Sequence, residues 1–150
     1  MQLSTHTAEE TQALAARLGA ACVGGEILLI DGDLGAGKTT FVQGLARGLG
    51  VPADTRVQSP SYALIHEHAG RLRLVHVDLY RLEGEAQAGE LGLDEIFESG
   101  AVVAVEWPSR LGALAPADRL EISLVADGGR RTITFRATGP KAARALGGIA

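Results

Sequence analysis

A glycine-rich segment in the first third of the chain has the residue types and the spacing of a phosphate-binding loop. Gly32-Asp33-Leu34-Gly35-Ala36-Gly37-Lys38-Thr39 fits the pattern G-x-x-x-x-G-K-[ST] at every fixed position. Glycines permit a positive φ and let backbone N–H groups converge on phosphate oxygens, while the lysine reaches the outer phosphates and the threonine hydroxyl suits Mg²⁺. The segment predicted to bind a nucleotide consists of Asp33, Leu34, Gly35, Ala36, Gly37, Lys38, Thr39 and Thr40.

The sequence on both sides of this loop favours a phosphate site over a chance match to a short motif. Residues 27–30 are an unbroken aliphatic run, which is typical of a central parallel strand covered on both faces. Residues 38–49 place apolar side chains on one face of a helix, whose N-terminal dipole then points at the same anion. The motif position is also occupied by one of only two lysines in the chain, Lys38 and Lys141.

Two acidic residues each follow an apolar run and are candidates for magnesium chemistry. Asp78 comes after Leu-Val-His-Val, and Glu106 comes after Val-Val-Ala-Val. Ligands in open α/β folds bind at the carboxyl ends of the strands, and Mg²⁺ takes one or two carboxylates there besides phosphates and waters. We therefore predict that Asp78 and Glu106 contact Mg²⁺ or the attacking water. The residues themselves leave open which acid is the direct ligand, and an acid that merely begins a loop is the alternative.

Two further groups of residues have both a functional and an ordinary interpretation. Ser59-Pro60-Ser61-Tyr62 lies where switch segments near a γ-phosphate are found, although a plain proline turn is an equal alternative. His66, His68 and His76 alternate with apolar residues. A zinc site is one interpretation of the histidines, but no third ligand stands out, so solvated or hydrogen-bonded side chains are favoured.

The remaining patterns predict an α/β fold with a mixed sheet in a single domain spanning residues 1–150. A capping-box spacing begins a helix at Thr7, and paired glycines end it after Cys22. The other predicted elements are a strand over 26–31, a loop then a strand over 57–69, a strand over 72–78, short helices over 84–100, a strand over 101–106, an antiparallel hairpin of 119–126 with 131–138 around Asp127-Gly128-Gly129, and a short helix or frayed tail over 139–150.

Composition argues against several classes of protein. Hydrophobic residues make up 46% and charged residues 21% of the 150 residues, which argues against disorder. The net charge of −4 disfavours a dedicated nucleic-acid binder, so we expect no DNA partner. The lone Cys22 excludes an internal disulfide and a cysteine-rich metal site and fits a reducing compartment. No signal peptide or membrane span is visible, so a cytoplasmic protein without a membrane partner is expected.

Four sequence blocks together resemble the TsaE family of bacterial ATPases. The blocks are the loop from Gly32 to Thr40, Ser59-Pro60-Ser61-Tyr62, His76-Val77-Asp78-Leu79-Tyr80-Arg81-Leu82, and Val105-Glu106-Trp107-Pro108. The resemblance extends over about residues 7–138 and implies a P-loop NTPase-like sandwich with a mixed, mostly parallel sheet and a C-terminal antiparallel hairpin. It also implies binding of ATP and Mg²⁺. The family acts with the proteins TsaB and TsaD, which transfer threonylcarbamoyl to adenosine 37 of tRNA.

The resemblance also implies roles for individual residues. Lys38 and Thr39 correspond to the phosphate and magnesium residues, while Asp78 and Glu106 correspond to the functional acids, with Glu106 the better direct ligand. Ser59, Pro60, Ser61 and Tyr62 correspond to the switch, where Ser61 replaces a usual threonine. The tryptophan beside the site corresponds to Trp107, and the adenine-side contacts correspond to Glu9, Thr11 and Arg130.

Three other functions would use the same loop. A small P-loop metabolite kinase would need an arginine-bearing helical lid where this sequence predicts a hairpin. A GTPase would need an Asn-Lys-x-Asp motif, which a chain without asparagine lacks. A nucleotide-dependent regulator that does not hydrolyse ATP stays open. The resemblance favours an ATPase that is weak alone, is activated by TsaB and TsaD, and meets tRNA only through that complex.

Overall fold

The computed structural model describes residues 1–60 and 64–150, and nearly every predicted element is present in it. The order of the elements is β1 (Gln2–Thr5), α1 (Ala8–Ala21), β2 (Ile27–Asp31), α2 (Lys38–Gly48), β3 (Ile65–His68), β4 (Leu74–Asp78), α3 (Glu85–Gly89), α4 (Leu93–Phe97), β5 (Val102–Glu106), a 3₁₀ helix (Pro108–Leu114), β6 (Leu120–Asp127), β7 (Arg130–Ala137) and α5 (Pro140–Gly147).

Within residues 1–60 and 64–150, the strands form one sheet of seven strands in the order β1-β7-β6-β2-β5-β4-β3. The middle of the sheet, β6-β2-β5-β4, is parallel, and both edges are antiparallel. The predicted mixed sheet and the C-terminal hairpin are therefore confirmed. Strand β1 was not predicted, because its four residues are mostly polar and its pairing with β7 is a contact between the two ends of the chain.

The sheet is covered on both faces, which explains why its central strands are aliphatic throughout. Helices α1, α2 and α5 pack on one face, against side chains such as Leu28, Ile30 and Leu120. Helices α3 and α4 and the 3₁₀ helix pack on the other face, against Val103 and Val105 among others. Successive strand residues point to opposite faces, so two cores are filled from the same strands.

Helices α1 and α2 cross so closely that glycine is needed where they meet. A Cβ built on Gly44 would collide with the backbone of Gln12, and one built on Gly48 would collide with the carbonyl oxygen of Ala16. Arg71 bridges the C-terminal ends of both helices. Its guanidinium donates hydrogen bonds to the carbonyl groups of Gly19 and Cys22 at the end of α1 and of Gly48 at the end of α2. Helix α2 carries the glycine-rich loop at its N-terminus, so the close packing of α2 on α1 helps to fix the position of the loop.

Gly48→Ala is expected to lower the free energy of unfolding by about 1–3 kcal/mol, because the new methyl group forces the two helices apart. Urea unfolding of the purified protein measures this change. The matched control is Gly147→Ala, since Gly147 is also the last residue of its helix but has open space around an added Cβ. That control should be neutral or slightly stabilising. Equal losses of stability in the two variants would contradict the close helix crossing.

The C-terminal segment, predicted as a short helix or a frayed end, is a helix that packs against the body. Its first turn is capped by Asp118, whose carboxylate accepts hydrogen bonds from the backbone N–H groups of Lys141 and Ala142. Ala145 and Ile149 are buried on the α1 side of the sheet. Apolar spacing alone is a weak signal in so short a helix, and its cap comes from a residue distant in the sequence.

Cys22 lies in the core at the end of α1, and burial raises the pKa of its thiol to about 12, with the nearby charge of Glu26 adding to the increase. The thiol is therefore protonated and unreactive near neutral pH.

Within residues 1–60 and 64–150, no helix has the length and hydropathy that crossing a bilayer would require.

Candidate functional site

The glycine-rich loop joins the end of β2 to the start of α2, as the sequence predicts. Gly37, the residue before the helix, adopts a φ of 104°, which few residues other than glycine adopt. Gly32 has a φ of 157°, and a Cβ there would lie 2.7 Å from the carbonyl oxygen of Leu124. The backbone therefore passes close to β6 and then turns sharply into α2, which leaves the loop open on the side of the carboxyl ends of the strands.

Lys38 is buried under this loop although it carries a charge. Its ammonium group donates hydrogen bonds to the carbonyl oxygens of Gly32 and Asp33, the second at 3.2 Å. The same nitrogen lies 4.4 Å from the centre of the Trp107 ring, within the range of a cation–π contact. The cation is thus held in place by the loop and by an aromatic face, at the position from which it would meet a phosphate group.

The two predicted acids lie side by side at the edge of the sheet. Asp78 ends β4 and Glu106 ends β5, and the two residues are level in the parallel register. Both are about 2% exposed. Asp78 accepts a hydrogen bond from the hydroxyl of Ser59 at 2.5 Å and one from the backbone N–H of Tyr80 at 2.9 Å. Oε2 of Glu106 is hydrogen-bonded to Nε2 of the His76 imidazole at 2.5 Å.

The loop, the lysine and the two acids border one cavity of about 560 Å³. Most residues that the sequence singles out for phosphate and metal chemistry line this cavity, whereas Ala36 is buried behind the loop. The lining consists of Asp33, Leu34, Gly35, Gly37, Lys38, Thr39, Thr40, Ser59, Asp78, Tyr80, Arg81, Glu106, Trp107 and Arg131. Of the predicted switch segment, Ser59 is at the cavity and Pro60 is buried, while Ser61 and Tyr62 lie outside the described residues.

Trp107 begins the chain segment that leaves the cavity after β5. It has a φ of 59°, a left-handed backbone conformation that is rare for a bulky residue and that is found more often at functional sites. Its ring packs against the ring of Tyr80, with 5.0 Å between the ring centres, and Arg110 lies on it at 5.8 Å. The tryptophan therefore connects the ends of β4 and β5 with the lysine of the loop, as its predicted place beside the site requires.

A second, smaller cavity of about 280 Å³ adjoins the first and shares Gly37, Thr40 and Arg131 with it. Its other walls come from the start of α1 and from the turn of the β6–β7 hairpin, and they consist of His6, Thr7, Ala8, Thr11, Gly128 and Gly129. Thr11 is buried there, and its hydroxyl shares a hydrogen bond of 2.6 Å with the hydroxyl of Thr5.

Two residues predicted on the adenine side do not line either cavity. Glu9 is exposed on α1, and Arg130 is exposed at the hairpin turn, 3.7 Å from Asp127. Arg131, the next residue, borders both cavities instead. Strand alternation would have identified it, because Arg131 shares a face of β7 with Ile133, which is buried in the core beside α1 and α2.

His66, His68 and His76 do not form a zinc site. The rings of His66 and His68 meet edge to face, with 6.3 Å between their centres, and His76 is bonded to Glu106. Burial lowers the pKa of His68, and the neighbouring imidazoles of His76 and His66 lower it further. In the part of the chain that the structure describes, no three side chains among histidine, cysteine, aspartate and glutamate are placed to hold a metal ion.

Together, the strand–loop–helix unit, the lysine under the loop and the acids ending adjacent parallel strands define a P-loop NTPase-type protein. Comparison with known proteins then narrows this class. Residues 5–133 match the family model "Threonylcarbamoyl adenosine biosynthesis protein TsaE". The chain therefore belongs to the TsaE family, and its place is in the biosynthesis of threonylcarbamoyladenosine in tRNA.

Curated relatives and a solved structure agree with this assignment. The chain is similar to the tRNA threonylcarbamoyladenosine biosynthesis protein TsaE of Bacillus subtilis, with 45% identity over 87% of this chain and 82% of the relative. It is 34% identical to the Treponema pallidum protein of the same name, over 87% and 96% of the two chains. The crystal structure of Bacillus subtilis YdiB superimposes with a TM-score of 0.86 and 36% identity, over 99% and 93% of the chains. The P-loop NTPase-like fold is thereby confirmed.

Proposed function

We propose that this protein binds ATP with Mg²⁺ in the larger cavity and hydrolyses it in support of tRNA threonylcarbamoylation by TsaB and TsaD. The observation that carries the proposal is the meeting of Lys38, Asp78 and Glu106 in one cavity below a glycine-rich loop. A site for phosphoryl transfer needs little more than positioning and charge neutralisation, and these residues offer both. In P-loop NTPases, a glycine-rich loop and the N-terminus of the helix that follows it bind the phosphates of the nucleotide.

The donor set at the cavity suits Mg²⁺, which prefers hard oxygen ligands. Thr39 offers a hydroxyl and Glu106 a carboxylate, and both line the cavity. Oδ2 of Asp78 accepts a hydrogen bond from the hydroxyl of Ser59, and Oδ1 accepts one from the backbone N–H of Tyr80. In Glu106, by contrast, the hydrogen bond with His76 involves Oε2. We therefore assign Glu106 as the direct ligand and Asp78 as an outer carboxylate that orients water. When bound, the ion would neutralise charge on the phosphate oxygens.

The two adjoining cavities fit the two halves of a nucleotide. The glycine-rich loop and Lys38 border the larger cavity, which takes the phosphates. The smaller cavity shares Gly37 and Thr40 with it and extends toward the first helix, so it takes the nucleoside, with the buried hydroxyl of Thr11 on its wall. Lys38 then exchanges its bonds to loop carbonyl groups for bonds to phosphate, and the Trp107 ring beside it changes its surroundings.

Arg131→Ala is expected to weaken ATP binding about 10-fold, because a guanidinium that borders both cavities is placed for a charge-assisted bond to the nucleotide. Arg130→Ala should weaken binding less, because Arg130 is exposed and is paired only loosely with Asp127. Nucleotide titrations of both variants, followed by tryptophan fluorescence, measure the difference. A larger loss in Arg130→Ala would contradict the geometry and favour the assignment that the family resemblance implies.

ATP hydrolysis with and without the partner proteins tests the proposed function. Purified protein is assayed alone, with TsaB and TsaD, and with TsaB, TsaD and tRNA. We expect slow turnover alone and faster turnover with the partners, because a partner that adds positioning and charge neutralisation at the phosphates accelerates phosphoryl transfer. Unchanged turnover with the complete set would overturn the coupled ATPase function. Transfer of label from ATP to a small-molecule acceptor would establish a kinase instead.

A further inference from the structure

A buried side chain, His76, holds the carboxylate of Glu106. The imidazole is 0% and the glutamate 2% exposed, and Nε2 lies 2.5 Å from Oε2. His76 is level with Ala104 in the parallel register, so its ring reaches along the sheet to the residue two positions further on β5. An ionised carboxylate only accepts hydrogen bonds, so Nε2 must be the donor.

Stability alone does not account for a histidine at this position. Strand alternation places His76 on the sheet face of Leu74 and Ala104, which belong to the aliphatic core. On its other neighbour, β3, His66 is level with His76, and the imidazole of His68 is also nearby. The other ring nitrogen, Nδ1, is buried and has no hydrogen-bond partner within residues 1–60 and 64–150. A buried polar atom without a partner costs free energy, and replacing a buried hydrogen-bonded pair by apolar side chains of similar shape is often neutral or stabilising.

We propose that His76 is a positioning residue for the magnesium site: its Nε2–H fixes Oε2 of Glu106 and thereby turns Oε1 toward the cavity. This inference rests on the proposed function, because it assigns Glu106 as the ligand. Without the imidazole, the glutamate side chain is free to change rotamer, and the ion must order it on binding. Partners that orient a metal ligand in this way typically change metal affinity 10- to 100-fold when they are removed.

Two amide variants separate this role from simple packing. His76→Gln places an amide N–H close to where Nε2 lies, while His76→Asn is one methylene shorter and places it nearer to Nδ1, too far from Glu106 to donate. Both are polar, so both bury an amide in the same core. Binding of Mg²⁺ is measured by calorimetry on each protein saturated with a non-hydrolysable ATP analogue, and nucleotide affinity is measured separately in the presence of a chelator.

The expected result is near-wild-type Mg²⁺ affinity for His76→Gln and about 10- to 100-fold weaker affinity for His76→Asn, with equal nucleotide affinity in the chelator. Thermal unfolding midpoints, recorded for both variants, report packing. Equal Mg²⁺ affinities in the wild-type protein and both variants would overturn the positioning role while leaving the proposed function intact. A wild-type protein that binds the nucleotide analogue but no Mg²⁺ would overturn the magnesium site itself, and with it this inference.

Discussion

Glu106→Gln is expected to lower Mg²⁺-dependent ATP turnover, measured with TsaB and TsaD present, by about 10²–10³-fold. The substitution keeps the size of the side chain and removes the charge that would meet the ion. A buried group placed to stabilise developing charge typically contributes that much to the rate. The glutamine oxygen can still accept the hydrogen bond from His76 Nε2, so the folded structure should persist. Initial rates of phosphate release at several Mg²⁺ concentrations give the result.

Two further variants make this experiment specific to the cavity. Glu98→Gln is the control, because Glu98 is an exposed acid at the end of α4, and its turnover should equal that of the wild-type protein. Asp78→Asn should lower the maximal rate of ATP hydrolysis. It should change the Mg²⁺ concentration needed for half-maximal turnover less than Glu106→Gln does, because Asp78 is assigned as the outer carboxylate. Wild-type turnover in Glu106→Gln would show that this glutamate does not bind the ion.

Lys38→Ala is expected to weaken ATP binding about 10- to 100-fold and to reduce turnover further. A charge-assisted bond to phosphate contributes about 1.5–3 kcal/mol, and Lys38 is the buried cation under the loop. The variant also loses the contact of the ammonium with the Trp107 ring, so part of the fluorescence response to nucleotide should disappear. Titration with ATP, followed by the emission of the single tryptophan, measures both effects.

The chain supplies its own control for this variant, because it contains only one other lysine. Lys141 is exposed at the start of α5, at the end of the chain, and it lines neither cavity at the loop. Lys141→Ala removes the same charge from the protein as a whole and should bind ATP with wild-type affinity. If the two alanine variants lost the same affinity, the effect would come from net charge, and the assignment of Lys38 to the phosphates would be wrong.

The parts of the fold that the sequence predicted are those set by local patterns. The aliphatic runs of β2 and β5 mark buried parallel strands, and the hydroxyl of Thr7 accepts a hydrogen bond from the N–H of Glu10 at the predicted start of α1. The acids at the ends of β4 and β5 were identified because parallel strands end at a common edge. Each of these inferences needs only a few consecutive residues and one rule of geometry.

The parts that the sequence did not predict depend on contacts between distant segments. Strand β1 exists because it pairs with β7, more than a hundred residues away, as the hydrogen bond from the Met1 ammonium group to the carbonyl of Phe135 illustrates. The contact of His76 with Glu106 follows from the register of β4 on β5, which no local pattern fixes. The 3₁₀ helix after Trp107 contains a kink at Gly112, so it has no regular apolar period.

Isothermal titration calorimetry with MgATP decides whether the cavity is a nucleotide site. The folded, purified protein should give a saturable heat with one ATP bound per chain, and the heat should be much reduced in Lys38→Ala. Omission of Mg²⁺ should weaken binding without abolishing it, because the loop and Lys38 remain. A protein that is folded yet gives no heat and no saturation with MgATP would contradict the nucleotide site.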